Sequence, residues 1–243
     1  MLGGDRAAAY LKVAEGCSRR CAFCAIPAIK GGLRCRELGS ILREAEQLGR
    51  SGVREINLVA QDTSAYEDPG GGGDLCDLLE ALDRAQATPW IRVLYGYPSG
   101  VNRRLLDAIA NLPRVCEYLD LPLQHCSERV LSLMRRPRGR FAPQRLVEYI
   151  RRGWPKIALR TTFLVGFPGE RERDFADLER FAAEGHFLHA AVFEYSAEEG
   201  TAAAGRRDHV PRRVKRERRE RLMRALRSAA ERRLKDMIGT RIE

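Results

Sequence analysis

YLKVAEGCSRRCAFC, residues 10–24, runs a strand-like segment, Tyr10–Ala14, straight into a loop that carries Cys17, Cys21 and Cys24. Thiolates bind iron strongly, and three of them within eight residues of one loop can wrap one corner of a cubane. Three thiolates leave one iron without a protein ligand, and an open metal position is what a catalytic site needs. The competing reading is a structural zinc site completed by a distant Cys or His, whose usual pattern is two paired Cys-x-x-Cys knuckles.

The rest of the composition narrows the setting. A chain of 243 residues is long enough for one large α/β domain with its own core. No apolar run reaches the roughly 18 residues expected of a membrane span. The first residues, MLGGDRAAAYLKVAEG, lack the apolar stretch of a secretory signal, so a cytoplasmic protein is expected. Seven cysteines, an odd number with three crowded together, point to metal or redox chemistry rather than a disulfide framework. The net charge is +10, and much of it lies between Arg206 and Lys235. Such a run can attract RNA or a ribonucleoprotein, or it can be a solvated helix face. No aromatic residue lies between Arg206 and Glu243, so stacking on bases is not expected there.

Outward from the cysteine loop, strand-length apolar runs alternate with amphipathic stretches. The strands are expected at Tyr10–Ala14, Glu55–Ala60, Trp90–Tyr95, Tyr118–Leu121, Ile157–Val165 and Ala190–Tyr195. The helices are expected at Ile41–Leu48, Leu75–Ala85, Asn102–Ala110, Ser127–Met134, Pro143–Arg152 and Arg171–Ala183. This alternation with short linkers predicts an α/β fold: about six parallel strands in a partial (β/α) TIM-like barrel, plus a C-terminal helix. The last helix begins near Pro211 and ends before Gly239, with a stripe of Leu222, Met223, Leu226, Ala229, Ala230, Leu234, Met237 and Ile238 that must pack on something. The organisation expected is a core over residues 1–205 with a basic helix, 206–243, packed on it. Gly70–Gly73 reads as a flexible surface loop, and Thr240–Glu243 as the start of a further element.

Three further segments place polar groups or glycines at strand ends, where parallel α/β folds bind ligands. Gln61-Asp62-Thr63-Ser64-Ala65-Tyr66 follows one strand, and Leu119-Asp120-Leu121-Pro122-Leu123-Gln124-His125 ends another. In Thr161-Thr162-Phe163-Leu164-Val165-Gly166-Phe167-Pro168-Gly169-Glu170 a β-branched, apolar strand runs into a Gly-x-Pro-Gly turn, where glycine lets a ligand approach the backbone. A plain turn also explains that segment, and a lone His such as His125 is more often structural than a base.

Together these segments resemble one family. Cys-x-x-x-Cys-x-x-Cys, with Phe23 before the third Cys, resembles the cluster loop of radical S-adenosylmethionine (SAM) enzymes. Ile26-Pro27-x-Ile29-Lys30-Gly31 looks like their methylthiotransferase branch. Gln61–Tyr66, Tyr97-Pro98, Leu121–His125 and Thr162–Glu170 look like the members of that branch that act on a ribosomal protein. The tRNA-modifying members tend to read Gln-Asn-Val in place of Gln61-Asp62-Thr63, and Gln-Ser-Gly in place of Gln124-His125-Cys126. The resemblance runs from Tyr10 to about Gly239.

The resemblance implies a 4Fe–4S cluster on Cys17, Cys21 and Cys24. It implies SAM near Phe23, Gln61, Asp62, Gln124, Gly166 and Gly169, reductive cleavage of SAM to a 5′-deoxyadenosyl radical, and hydrogen abstraction from the β-carbon of an aspartate in a small-subunit ribosomal protein. It further implies the ribosomal protein or ribosome as partner and an electron donor such as flavodoxin or ferredoxin, with no membrane. A tRNA methylthiotransferase core, with tRNA as substrate, and a non-catalytic, zinc-stapled RNA-binding module are the alternatives. Family members carry an N-terminal domain with three more cysteines and a C-terminal TRAM barrel, and neither is expected within this sequence. Cys35 stands where the family usually has Ser, and Glu37 where it has Pro. Cys35, Cys76, Cys116 and Cys126 are scattered and are expected to be isolated thiols.

Overall fold

Residues 7–239 are described by the computed structural model, so the expectation about Thr240–Glu243 falls outside the described residues. The chain divides into two units, one of Met1–Arg19, Ile26–Leu121 and Ile150–Ile157, the other of Arg20–Ala25, Pro122–Tyr149 and Ala158–Glu243. No helix among the described residues is long and apolar enough to cross a membrane.

The first unit contains β1 (Ala8–Lys12), β2 (Ala14–Glu15), α1 (Ile26–Lys30), β3 (Arg34–Cys35), α2 (Leu38–Arg50), β4 (Glu55–Val59), α3 (Leu75–Ala85), β5 (Trp90–Val93), α4 (Arg103–Asn111) and β6 (Tyr118–Asp120). β4 sits between β1 and β5 and is parallel to both, with Ala8 opposite Glu55 and Glu55 opposite Trp90. β6 follows beside β5, where the Gly96 N–H donates to the Asp120 carbonyl at 2.8 Å. Alternation sets the faces: Ile56 and Leu58 are buried while Glu55 and Asn57 are less so. α2 buries Ile41, Ala45 and Leu48, and α3 buries Leu75, Leu78, Leu79 and Leu82, both at helical spacing. Asp74 caps α3 by accepting from Cys76 N–H and Asp77 N–H, while Asp77 accepts from Asp74 N–H.

One expectation is corrected here. The run Tyr10–Ala14 is two strands, because Val13 breaks it: its N–H bonds Val59 O at 3.0 Å and its carbonyl accepts from Arg36 N–H at 2.9 Å. β2 then pairs antiparallel with β3, Ala14 opposite Cys35. The Gly70–Gly73 loop lies at the surface, where the Asp68 carboxylate accepts from Gly72 N–H at 2.7 Å and from Leu38 N–H at 2.9 Å.

The second unit contains α5 (Glu128–Leu133), most of α6 (Pro143–Gly153), β7 (Ala158–Val165), α7 (Glu172–Ala183), β8 (His189–Glu194) and α8 (Arg212–Asp236). β7 and β8 are parallel, Arg160 opposite His189. β7 buries Leu159, Thr161, Phe163 and Val165 in strict alternation, and Phe163 meets Phe181 and Phe187 edge-on at 6.3 and 5.7 Å. α8 packs on α7 and β8 through Arg218, Leu222, Leu226 and Ala229. The expected apolar stripe stops there, since Leu234 and Ile238 are 52% and 81% exposed.

All six expected parallel-type strands are present, and helices alternate with them, so the fold is α/β with a C-terminal helix. Among the described residues no sheet closes on itself.

Candidate functional site

In the first unit the chain leaves β2 through Gly16, whose φ is +81°. A β-carbon there would stand 2.2 Å from Gly32 O and 2.8 Å from Gly31 O, so only glycine fits. The Cys17 N–H then donates to Gly31 O at 3.1 Å, and Ser18 Oγ accepts from Leu33 N–H at 3.2 Å. Cys17 is buried, and its Sγ accepts from the Arg19 N–H at 3.4 Å. Gly16→Ala is expected to cost at least about 2 kcal/mol from the left-handed backbone and the clash. Thermal melting and iron content of the reconstituted protein would both fall; wild-type values in both would contradict the need for glycine.

Asp62, three residues after β4, is buried. Its Oδ2 accepts from Arg19 Nε at 2.7 Å and its Oδ1 from Ser64 Oγ at 2.6 Å. The Arg19 guanidinium also lies 4.2 Å from the centre of the Tyr97 ring, and Tyr97 N–H donates to Ser64 Oγ at 3.0 Å. The Gln61–Tyr66 and Tyr97-Pro98 segments are therefore joined around one arginine of the cysteine loop. Gln61 itself is exposed. Neither Arg19 nor Ser64 was singled out by the sequence. Arg19 sits inside the cysteine loop, and nothing in its spacing distinguishes it from Arg20, which is exposed.

In the second unit Cys21 and Cys24, both half-buried, flank a turn in which Cys24 N–H donates to Cys21 O at 3.2 Å. Ala22 pins that turn, donating to Met134 O at 2.9 Å and accepting from Ala203 N–H at 2.8 Å. Phe23 packs edge-on against Phe167 at 6.4 Å, in a core of Ala22, Val130, Met134, Phe167, Tyr195 and Ala203. Arg136 Nη1 lies 3.7 Å from Cys21 Sγ, while its Nη2 donates to Pro122 O. An arginine 115 residues away in the chain carries no signal in the sequence.

Gln124 has φ +71° and joins β7 as an extra rung, donating to Thr162 O at 2.8 Å and accepting from Leu164 N–H at 2.7 Å. Gly166 and Gly169 have φ +71° and +84°. Added β-carbons there would meet Lys215 Cγ at 2.4 Å and Asp208 Oδ2 at 2.6 Å, so the fold alone demands both glycines. The Gly166 N–H donates to Glu170 Oε2 at 2.8 Å, and Glu170 Oε1 accepts from Arg218 Nη1 at 2.8 Å; both side chains are buried. His125 is fully buried. Its Nδ1 accepts from Cys126 N–H and Ser127 N–H, both at 2.9 Å, and its Nε2 stands 3.6 Å from Glu170 Oε2. An imidazole so held is a structural residue.

Among the described residues no group of three His, Cys, Asp or Glu side chains gathers as it would around one metal ion. In a cubane each thiolate takes a different iron, so cluster ligands need not converge. The remaining cysteines are poor ligands. Burial pushes the Cys76 and Cys126 thiols up to about 12, with nearby carboxylates adding to it, and burial also raises Cys116.

A three-cysteine loop that follows the first strands of a parallel α/β fold, with N–H donors at two of the sulfurs, lies within residues 11–182, which match the family described as the radical SAM superfamily. The chain belongs to that superfamily, whose chemistry is built on a 4Fe–4S cluster and SAM. Among curated relatives, the ribosomal protein uS12 methylthiotransferase RimO of Aquifex aeolicus is 46% identical over 245 residues, covering 100% of this chain and 56% of that protein. The RimO of Anaeromyxobacter sp. (strain K) is 47% identical over 236 residues, covering 97% and 50%. The chain spans about half the length of the curated relatives it matches. Among solved structures, the radical SAM methyltransferase TsrM of Kitasatospora setae, with cobalamin and a 4Fe–4S cluster bound, superposes with TM-score 0.66 at 19% identity, covering 80% of this chain and 38% of TsrM. SuiB of Streptococcus suis bound to SAM gives 0.63 at 14%, covering 92% and 48%. At these identities the two structures speak for the fold alone.

Proposed function

We propose that this chain is the radical SAM core of a uS12 methylthiotransferase acting in the cytoplasm, with Cys17, Cys21 and Cys24 as the cluster ligands. Residues 1–205 form the catalytic core and 206–243 the basic helix packed on it. The observation that carries the reading is the pair of N–H donors on cysteine sulfur, Arg19 N–H on Cys17 and Arg136 Nη1 on Cys21. Hydrogen bonds to the sulfurs tune the potential of a bound cluster, so the donor set fits a 4Fe–4S group. The likeness to RimO over the length of this chain supports the substrate class.

When bound, the cluster and SAM supply one-electron reductive cleavage and a carbon radical that takes hydrogen from the target aspartate. The chain's own residues bind and orient. Phe23, held against Phe167, offers an apolar edge for adenine. Gln124 and the Gly166–Gly169 turn offer backbone groups, and Gln61 and Asp62 polar ones. Asp62, fixed by Arg19 and Ser64, orients rather than transfers protons.

The test needs no sulfur insertion. The reconstituted, dithionite-reduced chain is incubated with SAM and uS12 carrying β-deuterated aspartate. Mass spectrometry is expected to find deuterium in the 5′-deoxyadenosine. Unlabelled deoxyadenosine in the presence of uS12 would retain the core and reject the substrate. A colourless protein with zinc in place of iron would reject the enzyme altogether.

A further inference from the structure

Nearly all of the net positive charge falls within the unit of Arg20–Ala25, Pro122–Tyr149 and Ala158–Glu243. On α8 only part of it is paired within the protein, while Arg212, Arg213, Arg216, Arg224 and Arg227 are exposed. Arg218 and Arg221 pair with Glu170, Glu172 and Glu179, and Arg232 and Arg233 donate to the carbonyls of Ala183 and His186. The loop after α5, Arg135–Phe141, differs from the exposed arginines of α8 in placing an aromatic residue beside its arginines. Arg135, Arg138 and Arg140 are exposed, and none has an ion-pair partner among the described residues. No acidic residue occurs between Glu128 and Glu148.

The backbone of this loop makes the arginines harder to dismiss as ordinary surface charge. Arg136 N–H donates to Leu131 O at 2.8 Å and Arg135 N–H to Ser132 O at 3.1 Å, the paired bonds of a Schellman helix end. Arg135 occupies the left-handed position of that motif, φ +55°, which glycine normally fills because a β-carbon is unfavourable there. An arginine stands where glycine would be more stable. Its neighbour Arg136 turns inward to Cys21 Sγ, so the exposed arginines stand beside the cysteine turn. The Arg140 guanidinium lies 4.7 Å from the centre of the Phe141 ring.

We propose that the Arg135–Phe141 loop is an RNA-backbone contact, in which Arg135, Arg138 and Arg140 grip phosphates and Phe141 gives a neighbouring base a face to stack on. The inference rests on the reading that the substrate is a ribosomal protein, and adds that it is met beside its RNA. Guanidinium forks match phosphate in two-point contact. The aromatic next to the arginines suits a base, which an acidic peptide does not offer. The C-terminal run Arg206–Lys235 has no such aromatic.

The test is the salt dependence of binding between the 243-residue chain and small ribosomal subunits, with a ribosomal RNA duplex as a second probe. Each phosphate neutralised contributes about 0.9 to the slope of log affinity against log salt for duplex, and about 0.7 for single strands. The triple variant Arg135→Gly, Arg138→Ala, Arg140→Ala should lower that slope by about 2 to 3. The matching triple lysine variant should keep it. Arg135→Gly alone should lower the slope by about 1 while raising the melting temperature, because glycine relaxes the left-handed position. A merely structural residue would not move stability and binding in opposite directions.

An unchanged slope in the triple variant would overturn the proposal. So would poly-glutamate binding that matches RNA at equal salt and is lost in the same variant, since the loop would then be an acidic-peptide site. The deuterium-transfer assay with isolated uS12 contains no RNA. Its failure strikes the proposed function while leaving the slope measurement to stand or fall by itself.

Discussion

Cys17→Ala is expected to leave the reconstituted chain without its 4Fe–4S complement and without detectable 5′-deoxyadenosine formation, and Cys21→Ala and Cys24→Ala likewise. The loss should be complete because a cubane held by three thiolates has no protein ligand to spare. Cys76→Ala is the contrasting variant. Its thiol is buried and held at about 12, so it stays protonated and is a poor ligand. That change should lower stability by about 1 kcal/mol and leave iron content unchanged. Between these limits lies Arg136→Met, which removes a donor from Cys21 Sγ but no ligand. It should weaken cluster retention by roughly 10–100-fold, the usual effect of losing a supporting partner. Iron assays and the visible absorption of the anaerobic protein rank all of these. Full iron with SAM cleavage in Cys17→Ala would mean that the ligands have been assigned to the wrong residues.

The difference between the ligands and their supports is also the difference between what the sequence discloses and what it hides. Cys17, Cys21 and Cys24, the proposed ligands, are legible because residues on one loop show their spacing directly. The six parallel-type strands are legible because β-branched, apolar runs have a period of their own. β3 is not, since a two-residue strand has no period, and with it went the break at Val13. Arg19 and Arg136 hold their partners only through folding, Arg136 across 115 residues. The glycines of Gly166–Gly169 read in the sequence as room for a ligand, and the fold adds a second demand for them, since their β-carbons would meet Lys215 and Asp208. The basic helix misled in a particular way. A run of arginines suggests a solvated face, and its apolar residues suggest a stripe reaching Ile238. In fact the buried face is closed at one end by an arginine, Arg218, and its far end is left exposed.

That buried arginine gives the second large expected effect. Arg218 is 5% exposed, and its guanidinium reaches Glu170 Oε1 at 2.8 Å and Glu172 Oε2 at 3.0 Å. Glu170 is equally buried and holds the Gly166 N–H, so the ion pair ties α8 to the turn that follows β7. Arg218→Met removes one partner and leaves a carboxylate in the interior, which costs about 3–5 kcal/mol. For a chain of this length that should lower the melting temperature by roughly 10 °C. Arg180→Ala breaks an exposed pair with Asp177 and should cost no more than about 1 kcal/mol. Adding Glu170→Gln to Arg218→Met should recover part of the loss, because the neutral amide no longer demands a cation and its oxygen can still accept from Gly166 N–H. With the carboxylate misplaced, the turn at Gly166 loses its anchor, so SAM cleavage by Arg218→Met should show a raised KM for SAM at unchanged iron content. A stability loss below about 1 kcal/mol, or a double variant no better than the single, would mean that Glu170 finds other partners and that α8 does not support the turn.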